Sequence, residues 1–147
     1  MGIKRYFASQ DGFITNAYQA NLKTRMTGSN FGLSDTMEIY SIYGQASTSS
    51  VSSSELSRGL IQFSTTQIST DRTAGTIPAS GSVSWFLRMF NAPHNETLPR
   101  NFTLMVTAVS RSWEEGNGLD NENGTDITRN GTGANWINAS SGTIWPN

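Results

Sequence analysis

The sequence contains no cysteine, so it can form neither a disulfide framework nor a thiolate metal site. It has one histidine, His94, whereas a zinc centre needs several histidine or cysteine ligands. Charged residues make up 14% of the chain and the formal net charge is -1, so it lacks the basic surface that attracts nucleic acid or acidic lipid. No apolar run approaches the roughly 20 residues that cross a bilayer. We therefore expect no binding to nucleic acid or to a membrane.

Patterns typical of catalysis are also missing. His94 lies between Pro93 and Asn95, in a sequence typical of a turn, and no Gly-x-Ser-x-Gly elbow occurs. No glycine loop followed by Lys and Ser/Thr is available to hold a phosphate. Glu114 and Glu115 could form a glycosidase pair, but adjacent residues of a strand point to opposite faces. The sequence therefore predicts a protein that is not an enzyme.

Small uncharged hydrogen-bonding residues dominate the composition. There are 20 Ser, 17 Thr and 13 Asn among 147 residues, together with 14 Gly. Ser, Thr and Asn compete with the helical backbone for its own hydrogen bonds and are common in strands, turns and loops. No segment longer than about ten residues keeps helical periodicity; residues 17–22 could form one helical turn. The chain is therefore predicted to be all-β, as one domain over residues 1–147.

Alternation of apolar and polar side chains locates the expected strands. Residues 83–90 carry bulky side chains on both faces, which predicts a central strand with Trp85 in the core. Trp113 follows the last strand and precedes a glycine corner, where we expect it to pack beneath that corner. The predicted strands are Ile3–Ala8, Phe13–Thr15, Met37–Tyr43, Leu60–Phe63, Val83–Phe90 and Phe102–Val109.

Two loops interrupt this pattern. The first, residues 47–54, is rich in serine, and the second, residues 114–135, is rich in Gly, Asn and Asp. The second loop holds five acidic residues, of which Asp120, Glu122 and Asp126 are weak candidates for a calcium site because calcium prefers many oxygen ligands. Their spacing does not match an EF-hand. A solvated loop that uses Asn and Asp in its turns is the favoured interpretation, and we expect no cofactor apart from this calcium candidate.

Two tryptophans lie in loop-rich sequence near the end of the chain. Trp136 and Trp145 either anchor a contact between subunits or stack on a sugar ring. We favour the subunit contact, and both residues are interface candidates.

Several sequence runs resemble a known family. Asn30-Phe31-Gly32, Arg58-x-Leu60-Ile61-x-Phe63 and Trp113-Glu114-Glu115-Gly116 resemble the first part of the DNRLRE-type β-sandwich, a jelly roll of surface and carbohydrate-binding proteins. The chain is more similar still to virion structural proteins of marine cyanophages with contractile tails. That similarity covers residues 42–47, 55–58, 71–80 and 113–120, and extends over nearly the whole chain.

This resemblance implies an antiparallel jelly-roll-like β-sandwich that is incomplete at its C-terminus, because further strands are expected after Trp145. Either residues 1–147 are the N-terminal part of a longer protein, or a neighbouring subunit supplies the missing strands. The implied function is that of a non-enzymatic virion protein in a capsid decoration, neck or tail. It would be made in the host cytoplasm, form homo-oligomers and bind other virion proteins. The alternative is a carbohydrate-binding module that holds a glycan at Trp136 or Trp145, with calcium as a further candidate ligand.

Overall fold

The computed structural model describes residues 2–43, 54–79, 81–95, 97, 100–119 and 132–146. The described chain forms small antiparallel sheets and one short helix, which confirms the β-rich class expected from composition. Its elements are β1 (Ala8–Thr15), β2 (Ser41–Ile42), β3 (Glu55–Phe63), α1 (Thr65–Thr73), β4 (Asn138–Ser140) and β5 (Thr143–Ile144).

The chain divides into two compact units. Residues 7–63 and 111–147 form one, called the core unit here, and residues 1–6 and 64–110 form the other, called the helix unit. All of the strands belong to the core unit, whereas α1 belongs to the helix unit.

The main sheet of the core unit has the order β1-β3-β2, and both pairings are antiparallel. Because β3 is central, its backbone is hydrogen-bonded on both sides, and Phe13 lies opposite Gly59 in the β1–β3 register. The glycine leaves room for the side chains of Met37 and Ile39, which a Cβ at position 59 would contact closely. β4 and β5 form a separate two-stranded sheet.

A small apolar core lies in this unit. Phe13 and Phe31 stack beside it, with ring centroids 4.4 Å apart. Trp113 is a member of the core cluster, which confirms its expected role as a packing residue. The cluster consists of Ile14, Leu60, Trp113, Ala134 and Ala139, with Trp136 and Trp145 packed against it.

The helix unit contains an element that the composition argument missed. The hydroxyl of Ser64 accepts a hydrogen bond from the Gln67 N–H at 3.3 Å and caps the first turn of α1. Gly75 follows the helix with a φ of 72°, a left-handed conformation that favours glycine. At nine residues α1 is shorter than the length considered in the sequence, and capping at both ends stabilises a polar segment with no buried side chain. The predicted helical turn at 17–22 is instead a tight turn, in which the Leu22 N–H donates to the Gln19 carbonyl at 2.8 Å.

Several strand predictions are corrected. Residues 83–90 and 102–109 lie outside every hydrogen-bonded strand, and Trp85 is 52% exposed rather than in the core. The predicted strand at 37–43 is reduced to β2, and the first strand begins at Ala8 rather than Ile3. Alternation detects suitable side chains, but a strand also needs a backbone partner. For residues 83–90 and 102–109 no such partner lies within the described chain.

The described part of the chain holds no helix of the length and apolarity needed to cross a membrane. The serine-rich loop is described only at Ser54, so the interpretation of residues 47–53 lies outside the described residues. Of the loop at 114–135, residues 114–119 and 132–135 are described.

Candidate interaction surface

Ten large apolar side chains of the helix unit are exposed in residues 83–90 and 102–109, called the apolar segments here. Phe86 is 89% exposed and Met105 is 86% exposed, values that are unusual for such large side chains. The large apolar side chains exposed in these segments are Trp85, Phe86, Leu87, Met89, Phe90, Phe102, Leu104, Met105, Val106 and Val109. Together they expose on the order of 1,000 Å², which is close to what one partner contributes to a standard protein–protein interface.

The backbone of both apolar segments is available for pairing. Across the described residues, the backbone hydrogen bonds and strand pairings include none made by positions 83–90 or 102–109. Peptide groups in this state can accept a strand from another chain, as the edge of a sheet does. The apolar segments thus offer both free hydrogen-bonding groups and side chains suited to burial.

A polar contact connects the N-terminal residues to α1. The Tyr6 hydroxyl donates to Asp71 Oδ2 at 2.8 Å, and Lys4 Nζ lies 3.2 Å from the same oxygen. The hydrogen bond from Tyr6 lowers the pKa of the Asp71 carboxyl, and the positive charge of Lys4 lowers it further. Partial burial raises the pKa of Tyr6, and its bond to Asp71 raises it further. The Tyr6 ring also lies 6.1 Å from Trp85, so this contact reaches the first apolar segment.

The first apolar segment carries one charge. The Arg88 guanidinium carbon lies 4.7 Å from the centre of the Phe90 ring, within the range of a cation–π contact. An arginine that stacks on aromatic rings is well suited to an interface, because its charge is weakly hydrated and its plane packs on apolar groups.

The interface candidates of the core unit, Trp136 and Trp145, are both half-buried. The guanidinium carbon of Arg58 lies 4.7 Å from the centre of the Trp136 ring and covers one of its faces. Trp145 donates its indole N–H to the Asn135 carbonyl at 2.7 Å. Both tryptophans pack against the core cluster, so only part of each ring is open to a ligand or a partner.

A single buried amide brings together two of the runs that carry the family resemblance. Asn30 donates from Nδ2 to the carbonyl oxygens of Glu115 at 2.7 Å and Ala134 at 2.8 Å. Its Oδ1 accepts from the N–H of Gly118 at 2.8 Å and of Gly32 at 3.3 Å. The motif at 30–32 therefore holds the backbone of the motif at 113–116, although more than eighty residues separate them along the chain.

Glycine is required at position 118 because the backbone there lies close to the backbone of Asn30. A Cβ at this position would overlap the backbone carbonyl oxygen of Asn30, which cannot move without disturbing the amide contacts. The glycine thus has a packing role in the core unit.

The two adjacent acidic residues Glu114 and Glu115 bind separate backbone groups. Glu114 Oε2 accepts from the N–H of Gly133 at 3.3 Å and of Ser141 at 3.4 Å. Glu115 Oε1 instead accepts from the Asp11 N–H at 2.9 Å. The two carboxylates are therefore engaged by different segments, as expected for adjacent residues that point in different directions.

The calcium candidates Asp120, Glu122 and Asp126 lie outside the described residues. Within the described ranges, no three acidic or histidine side chains come together in a way that could hold a metal ion. Calcium binding stays a prediction from the sequence.

Comparison with known proteins gives no further guide to function. No family model, curated protein or solved structure matches this chain. The resemblance to cyanophage virion proteins stays a prediction based on the sequence runs.

Proposed function

We propose that this chain is a non-enzymatic structural subunit that acts by binding other subunits. The exposure of two apolar segments with unpaired backbone carries this proposal. Single exposed apolar residues are common on soluble proteins, but here ten large apolar side chains are exposed within two short segments of the chain. Burial against another chain would remove these side chains from water and pair the free peptide groups.

The assembly that we propose is a virion, with the chain in a capsid decoration, neck or tail. The resemblance of residues 71–80 and 113–120 to cyanophage structural proteins supports this part. The described members of the motif runs make packing contacts: Asn30, Glu114 and Glu115 all bind backbone groups of distant segments. Such use of polar side chains is what a structural role requires.

The finer fold also belongs to this proposal. A jelly-roll-like sandwich needs more strands than the five described here, and the apolar segments have the alternation and length of strands. Pairing with another chain would convert them to strands and complete the sandwich between subunits.

Purified particles provide the direct test of the virion proposal. Particles released from cells that express this gene should contain the chain, in many copies, when they are examined by quantitative mass spectrometry after density-gradient purification. The soluble fraction of the same lysate serves as the control for carry-over. A chain that stays wholly in the soluble fraction would contradict a place in the virion.

The carbohydrate-binding alternative makes a different prediction. It requires saturable binding on a glycan array or to alginate that is lost in Trp136→Ala and kept in Trp85→Ala, a matched change at the exposed tryptophan of the helix unit. The structural-subunit proposal predicts no saturable glycan binding by any of the three proteins.

A further inference from the structure

We propose that the partner of residues 83–90 is a second copy of the same chain. The two segments pair antiparallel, so that Leu87 lies opposite Leu87 of the other copy across a two-fold axis. This inference rests on the proposed function, since it names the partner and the register of one subunit contact. It concerns the first apolar segment, whose side chains and backbone are exposed as described above.

Symmetry restricts the possible registers. When two copies of a strand pair antiparallel in one sheet, the two-fold axis is perpendicular to the sheet. The same face of each copy therefore lies on the same side of the sheet. A residue must therefore lie opposite a residue of the same face, because opposed side chains in an antiparallel pair point the same way. The axis then runs midway between one residue and the same residue of the other copy, called the residue on the axis here, and the central candidates are Phe86, Leu87 and Arg88.

Charge and side-chain chemistry select among these three. With Arg88 on the axis, two guanidinium groups would lie directly opposite one another, which is destabilising. With Phe86 on the axis, Arg88 would lie opposite Ser84 and lose its aromatic neighbour across the strands. With Leu87 on the axis, Arg88 lies opposite Phe86 of the other copy.

The Leu87 register also matches the remaining bulky residues. Trp85 lies opposite Met89, a sulfur–aromatic pair, and this pair occurs twice because of the symmetry. Arg88 opposite Phe86 gives two cation–π contacts, of the kind that Arg88 already makes with Phe90 in its own chain. The segment is thus complementary to itself in charge and in aromatic chemistry.

The second apolar segment gives no comparable signal. Residues 102–109 carry no charge, so nothing in their side chains favours one register or one partner over another. The assignment is therefore made for residues 83–90.

The absence of cysteine makes a direct test possible, because single cysteines can be introduced without competing thiols. A residue on the axis lies opposite itself, within the Cα separation that a disulfide spans. Leu87→Cys should therefore form a disulfide-linked dimer under mild oxidation, seen on a non-reducing gel and reversed by a reductant. Phe86→Cys and Met105→Cys, both at more exposed positions, are the matched controls for random collision and should remain mostly monomeric.

Each other outcome overturns the inference. A dimer linked mainly through Phe86→Cys shows a different register, and one linked mainly through Met105→Cys assigns the contact to the second apolar segment. Equal linkage at all three positions indicates collision only. These results would leave the structural-subunit proposal standing, because its own test is the presence of the chain in purified particles.

Discussion

At the residue scale, the Asn30 side chain joins parts of the core unit that lie far apart along the chain. Its amide satisfies two carbonyl groups and two N–H groups from segments around Gly32, Gly118 and Ala134. A buried amide with both ends in use stabilises one arrangement of these segments, because any other would leave polar groups unpaired.

Asn30→Asp should destabilise the core unit by about 3 kcal/mol, because a carboxylate oxygen would replace the Nδ2 donor and face two carbonyl oxygens. Urea unfolding followed by intrinsic tryptophan fluorescence measures the change. Asn101→Asp makes the same substitution at an exposed position and should leave the unfolding midpoint nearly unchanged. Equal effects of the two substitutions would contradict the role assigned to Asn30.

At the element scale, α1 shows how local capping can produce a helix that composition disfavours. Its nine residues bury no side chain, and the hydroxyls of Thr70 and Thr73 bond to carbonyls one turn earlier. The Ser64 cap and the left-handed Gly75 satisfy groups at its two ends. Asp71 then connects α1 to the N-terminal residues through Tyr6.

Ser64→Ala should destabilise α1 by about 1 kcal/mol, because it removes the side-chain acceptor at the helix N-terminus. Amide hydrogen exchange of residues 65–73 reports this as faster exchange. Ser69→Ala changes the same side chain inside α1, where alanine has the higher helix propensity, and should not speed exchange. Faster exchange in both variants would argue against capping as the source of helix stability.

The contact between Tyr6 and Asp71 should depend on pH at both extremes. The lowered pKa of Asp71 means that its contribution is present above the unfolded-state pKa, about 4, and is lost as the pH falls through the folded value. The raised pKa of Tyr6 means that its contribution is present below about pH 10 and is lost as the pH rises through the folded value.

NMR titration of the Asp71 carboxyl measures this dependence. Tyr6→Phe removes the donor and keeps the ring, so the pKa of Asp71 should rise toward its ordinary value while the contact of Lys4 remains. An Asp71 that titrates identically in the two proteins would contradict the hydrogen bond as the main cause of the shift.

The elements differ in how far the sequence could predict them. β3 and the packing role of Trp113 were predictable, because apolar alternation and a glycine corner reflect local chemistry. α1 was predictable in principle from Ser64-x-x-Gln67 and Gly75, a capping pattern that the polar composition outweighed. The absence of strand pairing at residues 83–90 was not predictable from the sequence. Alternation gives the same pattern whether the partner strand belongs to the same chain or to another.

At the scale of the whole molecule, the chain combines a small packed core with a large exposed apolar area. Its core cluster lies in the core unit, whereas the apolar segments lie in the helix unit. This division is consistent with a subunit that folds part of its chain alone and completes the rest on assembly, the central claim of the proposal.

Phe86→Arg should weaken self-association about tenfold or more, because it removes the two cation–π contacts and places a guanidinium directly opposite Arg88 of the other copy. The side chain is 89% exposed in the single chain, so the substitution should have little effect on the stability of the monomer. Ile3→Arg changes an equally exposed apolar residue outside the apolar segments and should leave association unchanged. Dilution experiments by analytical ultracentrifugation compare the three proteins, and equal weakening by both substitutions would indicate nonspecific hydrophobic association.

Light scattering coupled to size-exclusion chromatography, over a wide range of concentrations of the unmodified chain, tests the central claim most directly. Self-association predicts a discrete oligomer whose mass is a multiple of 16.0 kDa and which dissociates on dilution. A folded monomer at every concentration, with the apolar segments still exposed to solvent, would contradict self-association through those segments.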